Sequence, residues 1–256
     1  MRGFKSVALP DDPSAAALAP ERREAIARHW LGRSEAELST AAVFTQVARA
    51  LLEIGAAPEV LVLAARGPSD EVQHARLCHA IAELYAGRAL TFPSAALADP
   101  VQFGDASPRI NRLLLAVHHS CLNEGIAAAY LQENLRRSAA PAASAVIRSL
   151  LRDDVDHARI GWAHLASPRV TPADRAHIAG ALPTLVRIAW QAWLGPGADC
   201  DADEPEHGCL PRHARLPLVR EALEAMILPG FEHVGIDARA ARAWLASPAA
   251  LVAWAS

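Results

Sequence analysis

Two short stretches, Asp70-Glu71-Val72-Gln73-His74 and Asp153-Asp154-Val155-Asp156-His157, each set a carboxylate and an imidazole three residues apart. On a helix that spacing aims both side chains at one neighbour. Each stretch is preceded by a separate helical segment with one more inward acid, Glu37 before the first and Glu124 before the second. Glu37, Glu71, His74, Glu124, Asp154 and His157 are then four carboxylates and two imidazoles, the donors of a two-metal site between four helices. Hard oxygens with imidazole nitrogens suit iron or manganese, and the lack of thiolate ligands disfavours structural zinc. Glu71 and Asp154 are the natural bridging acids; Glu37 and Glu124 are terminal. No catalytic residue beyond these ligands stands out.

The elements that must position these residues follow from apolar spacing and punctuation. Residues 1–19 read as a loosely packed lead-in. A helix from Glu21 repeats inward residues every seven positions, Trp30, Glu37, Phe44 and Leu51, and stops at Gly55-Ala56-Ala57-Pro58. A second helix runs from Pro58 to about Gly87, with a kink or local widening expected at Gly67-Pro68, where proline removes a hydrogen bond. Residues 88–108 lack a period and read as a long connection. A third helix, about Pro108 to Ser138, turns at Ala139-Ala140-Pro141 into a fourth that lasts to Ser167. Glu37 and Glu71 lie about equally far from the first turn, as do Glu124 and Asp154 from the second, at roughly 22–27 Å for 1.5 Å per residue. Each antiparallel hairpin therefore brings its lone acid level with its acid-and-histidine pair.

These elements predict an all-α fold: a four-helix bundle over residues 20–167, with a long crossover between helices 2 and 3. A C-terminal helical extension, 168–256, packs on it. In the extension Thr171-Pro172-Ala173-Asp174 reads as a helix start, with a bend expected at Pro183 and shorter helices over 217–228 and 237–247. The 52% apolar content is inflated by alanine, and β-branched residues are sparse, which favours helix over strand. A net charge of -3 without a basic stripe argues against a nucleic-acid binder. No run reaches the roughly 18 apolar residues of a membrane span, and Met1 to Pro20 lacks the apolar core of a signal peptide. The expected location is cytoplasmic, with Cys78, Cys121, Cys200 and Cys209 reduced.

The pattern Glu…Glu-x-x-His…Glu…acid-x-x-His resembles the ferritin-like di-iron carboxylate superfamily over roughly residues 20–167. Glu37 followed by Ala42-Val43-Phe44, the Gly55–Pro58 turn and Asp70 through Cys78 are similar to bacterial ferritin-like domain proteins of unassigned role. The resemblance implies two iron ions as cofactor, with manganese as the variant. Asp154 departs from it, standing where the superfamily has Glu, one methylene longer. In soluble desaturases and methane-monooxygenase-like oxygenases an Asp just before each motif accepts a hydrogen bond from the histidine of the opposite motif. The resemblance implies Asp70 to His157 and Asp153 to His74, an arrangement that storage ferritins generally lack and that tilts the reading towards O2 activation.

The leading expectation is a di-iron (or Fe/Mn) oxidase or oxygenase acting with O2 on an unknown small organic substrate. No flavin or iron–sulfur motif is present, so electrons come from an external donor or from the substrate. The alternatives are an iron-handling ferroxidase-type protein and a bundle with a degenerate site that serves as an interaction module. A homodimer is open. The plainer readings matter too. Cys78, Cys121, Tyr130, Trp30 and Trp162 are expected as packing, and His118-His119 as surface or partner-contact residues off the face of Glu124. His164 is expected to be buried and hydrogen-bonded. The Cys200–Cys209 loop is expected to be solvated and acidic, not a second metal site.

Overall fold

The computed structural model describes residues 8–95, 102–104, 106–195, 202–248 and 250. Proline writes the helix starts: it occupies the first turn of α1 (Pro13–Ala17), α2 (Pro20–Glu53), α3 (Pro58–Ala86), α4 (Pro108–Ala116), α6 (Pro141–Ala166) and α7 (Pro172–Leu194). At that position its missing N–H costs no helical bond and its fixed φ suits the helix. Glycines in the left-handed region end two of them, Gly55 after α2 (φ 72) and Gly87 after α3 (φ 66).

Four long rods form the bundle. α2 and α3 are an antiparallel hairpin, and residues 88–107 separate it in sequence from the second hairpin. The first rod of that hairpin is α4, seven residues of π-helix (Val117–Asn123) and α5 (Glu124–Arg137), end to end; the second is α6. α6 packs on both α3 and α5, while α2 faces α4. On α2 every seventh residue is buried as the spacing predicts: Trp30, Glu37, Phe44 and Leu51.

Helix widening does occur, but not where proline suggested it. α3 is α-helical through Pro68, and the wide turns lie in the third rod. Gly67 serves a different need, because a Cβ there would stand 2.5 Å from the Phe44 ring. α7 likewise runs through Pro183 without interruption.

The described part of the lead-in is docked rather than loose. Asp12 is buried and its carboxylate accepts from the Ala142 N–H at 3.0 Å, an N-terminal orphan of α6 capped from a distant segment. Beyond α6, the capping box of Thr171 and Asp174 opens α7. Then come α8 (Arg212–Glu221), a second π stretch (Ala222–Ile227), α9 (Leu228–His233) and α10 (Arg239–Leu245). Trp190, Leu223, Ile227 and Phe231 from this extension share one apolar core with Leu113, Leu122 and Ile126 of the third rod. No described helix is long and apolar enough to cross a membrane.

Candidate metal centre

α2 supplies Glu37, α3 supplies Glu71 and His74, the third rod supplies Glu124, and α6 supplies Asp154 and His157. All six are buried. Their donor atoms form two groups, Glu37–Glu71–His74 and Glu71–Glu124–Asp154–His157, with the atoms of each group within 4.8 Å of one another. Glu71 belongs to both. Its Oε2 is 3.4 Å from His74 Nδ1 and its Oε1 is 3.0 Å from His157 Nδ1. Asp154 Oδ1 stands 3.8 Å from His74 Nδ1 and 3.7 Å from His157 Nδ1, almost midway.

The outer nitrogens face acids on the opposite helix. His74 Nε2 is 3.2 Å from Asp153 Oδ2, and His157 Nε2 is 3.5 Å from Asp70 Oδ2. An acid at Nε2 keeps a proton there, so that Nδ1 is the nitrogen a metal would take; His74 Nε2 makes that hydrogen bond to Asp153, whereas the longer contact with Asp70 leaves His157 Nε2 without one. The interior is short of partners: Glu71 Oε2, His74 Nδ1 and His157 Nδ1 are buried without a hydrogen bond. Orphaned donor atoms of this kind, oxygen and imidazole nitrogen converging on one space, fit divalent metal ions.

Titration follows from burial and crowding. Burial alone would push His74 down, but Asp153, Glu71 and Asp154 carry it up to about 11. Burial pushes Glu124 up to about 8, opposed by His157 and reinforced by Asp154 and Glu71. Glu37 is buried too, yet Arg33 holds it below the usual carboxylate range; Arg33 Nη2 is 2.7 Å from Glu37 Oε1. Asp153 lies well below its usual range through its bond to His74.

The π stretch changes what the third rod presents. Glu124 N–H bonds His119 O, a five-residue step, so His119 comes round to the face of Glu124. Its Nε2 lies 3.4 Å from Glu124 Oε1, and its ring packs on Phe44 with centroids 4.4 Å apart. His118 and His119 are therefore buried rather than at the surface, and burial drives them down to about 4 and about 3. The α-helical spacing that placed them off the site does not apply where the turns are wide. Phe44 also meets His157 (4.6 Å) and closes that side with apolar surface.

Other expected bystanders take structural places. Trp30 Nε1 donates to His207 O, and Tyr85 OH pairs with His207 Nδ1 at 2.8 Å, so His207 ties its loop to the bundle. Glu204 of that loop pairs with Arg22, while Cys200 and Asp201 lie outside the described residues. Cys78 and Cys121 are buried and free, and burial raises both thiols. Tyr130 is buried but lines a cavity of about 660 Å³ that opens onto Glu37, Glu71, Glu124 and Asp154.

No family model and no curated protein matches the chain. A solved structure does: a protein from Synechococcus described as having aldehyde deformylating oxidase activity, with a TM-score of 0.55. It is 20% identical, and the match covers 90% of this chain and 97% of that one. The fold is ferritin-like. At that identity the likeness is one of fold.

Proposed function

We propose that the protein is a non-haem di-iron (or Fe/Mn) oxidoreductase that uses O2 to oxidise a small organic substrate. The observation that carries this is the pair of donor groups meeting at Glu71, buried beside a cavity large enough for a substrate. Glu37, Glu71 and His74 would hold one ion, and Glu71, Glu124, Asp154 and His157 the other. Bound there, two ferrous ions would supply the redox chemistry with O2 that no side chain offers.

The chain's own residues do the rest. Asp153 keeps the His74 proton on Nε2, and Asp70 stands beside His157 Nε2, so that each Nδ1 is left to face the metal. Glu71 spans the two imidazoles with its separate oxygens, while Asp154, a methylene short, reaches midway with one. Phe44, packed on His119 and His157, excludes water from that face of the cluster, and His119, neutral at pH 7, stands against Glu124 without adding charge. The described Synechococcus activity supports an O2-using reading, and the substrate is a separate question.

Anaerobic loading with Fe(II), followed by O2, tests the reading. About two irons per chain and an absorption change on oxygenation support it. Many irons accumulating per chain would point to iron handling instead, and no uptake would leave an interaction module.

A further inference from the structure

The cavity beside the metal centre is walled by cations. Every acid that lines it belongs to the cluster, whereas Arg28, Arg33 and Arg215 line it elsewhere. Arg33 sits one turn before Glu37 on α2, and its Nε is buried without a hydrogen-bond partner. Arg215 comes from α8 in the extension. The guanidinium carbons of Arg33 and Arg215 stand 5.7 and 5.8 Å from the centroid of the same Tyr130 ring. His29 Nε2, also on the wall, is a further buried nitrogen without a partner.

Charge counting decides what this wall prefers. Without metal, Glu37 balances Arg33. Two divalent ions equal the charge of Glu37, Glu71, Glu124 and Asp154, so the loaded floor is neutral and Arg33 has lost the undivided charge of its partner. A buried cation in that position favours an anion, and a planar guanidinium matches the two oxygens of an oxyanion head. The rest of the wall sets the apolar Val43, Leu115, Ala127 and Trp193 beside the uncharged polar Thr40, Gln46 and Asn123.

We infer that the substrate is an organic acid: an apolar body with a carboxylate or phosphate-ester head seated on Arg33 and Arg215. This rests on the two-metal reading of the cluster. It assigns the C-terminal extension a part in recognition, since Trp193 and Arg215 both come from it.

The test is equilibrium binding of 4-phenylbutyrate, phenyl phosphate, 4-phenylbutan-1-ol and 4-phenylbutylamine to the manganese-loaded full chain under nitrogen, with manganese counted on the same samples. At least one of the two anions should bind about tenfold or more tighter than the alcohol, and the amine weakest; which anion wins identifies the head group. Arg215→Gln should cut that preference to about threefold or less with the manganese count unchanged, and Arg33→Gln should cut it likewise when read at saturating manganese, because Arg33 also pairs with Glu37. The exposed Arg28→Gln, which cannot unfold the core, should cut it by a smaller factor. Alcohol binding as tightly as both anions, no probe binding, or full preference in both Arg33→Gln and Arg215→Gln would overturn the inference. A chain that takes up no manganese fails the cluster reading instead, and that failure appears in the metal count.

Discussion

Gly161 on α6 packs directly against the wide turns of the third rod. A Cβ there would collide with Cys121 Sγ and stand 3.1 Å from Ser120 Cβ and 3.2 Å from Cys121 N. All three atoms belong to buried residues and one is backbone, so Gly161→Ala must shift the π stretch itself. Overpacking a filled site costs about 1–3 kcal/mol, and replacing a helical glycine by alanine returns about 1 kcal/mol. The net loss is about 1 kcal/mol, a Tm lower by about 2–4 °C for a chain of this size. The larger effect is expected on function, because the displaced segment carries His119 and leads directly into Glu124. Metal affinity should fall about tenfold, the low end of what loss of a supporting contact costs. Gly180→Ala is the matched control: it lies exposed in α7 with nothing within 4 Å of an added Cβ, and should raise stability by about 0.4–1 kcal/mol without touching the site. Thermal unfolding by circular dichroism and a manganese titration read both variants. If Gly161→Ala were as stable as Gly180→Ala and bound metal like the parent, the packing argument for the π stretch would be wrong.

Other outcomes follow from the same geometry. Asp153→Asn and Asp70→Asn should each weaken metal binding about 10–100-fold with helix content unchanged by circular dichroism; equal affinities would remove both acids from the site's support. Metal loading near pH 7 should release protons, since His74 sits up at about 11 and Glu124 at about 8 before metal binds. Affinity should therefore climb from pH 6 to pH 8, and a weakly buffered titration with no proton release would contradict it. Asp174→Ala removes the α7 capping box and should cost about 1 kcal/mol at neutral pH. Burial opposes ionisation of Asp174, but its bonds from Thr171 and its pairing with Arg109 hold it below the usual range. Its contribution is thus present above the unfolded-state value of about 3.9 and lost as pH falls below it. An unchanged acid-unfolding midpoint in the variant would refute that assignment.

The bundle could be read from the chain because its signals are local. Proline at helix starts, Gly55 and Gly87 at helix ends, and the seven-residue repeat of Trp30, Glu37, Phe44 and Leu51 each act over a turn or two. The convergence of Glu37, Glu71, His74, Glu124, Asp154 and His157 was legible for the same reason, since two turns at matched distances fix the level of each acid. His119 was not. Its place depends on five-residue hydrogen bonding in the third rod, and the run Val117 to Asn123 has no proline or glycine to announce it; the small Gly161 opposite is the trace it leaves. Arg33 was within reach, four residues before Glu37 on one helical face. Arg215 and Trp193 were not, because their approach to Tyr130 is set by how α7 and α8 lie on the bundle, a long-range matter. The docking of Asp12 onto α6 has the same character.

The claim on which the rest depends is that two metal ions share Glu71. Anomalous diffraction from iron-loaded crystals tests it most directly. The account predicts two iron peaks per chain, roughly 3–4 Å apart as in other two-metal sites, one near His74 Nδ1 and one near His157 Nδ1, with Glu71 oxygens on both. A single peak with Glu71 on one side, or iron bound only away from these six residues, would contradict it.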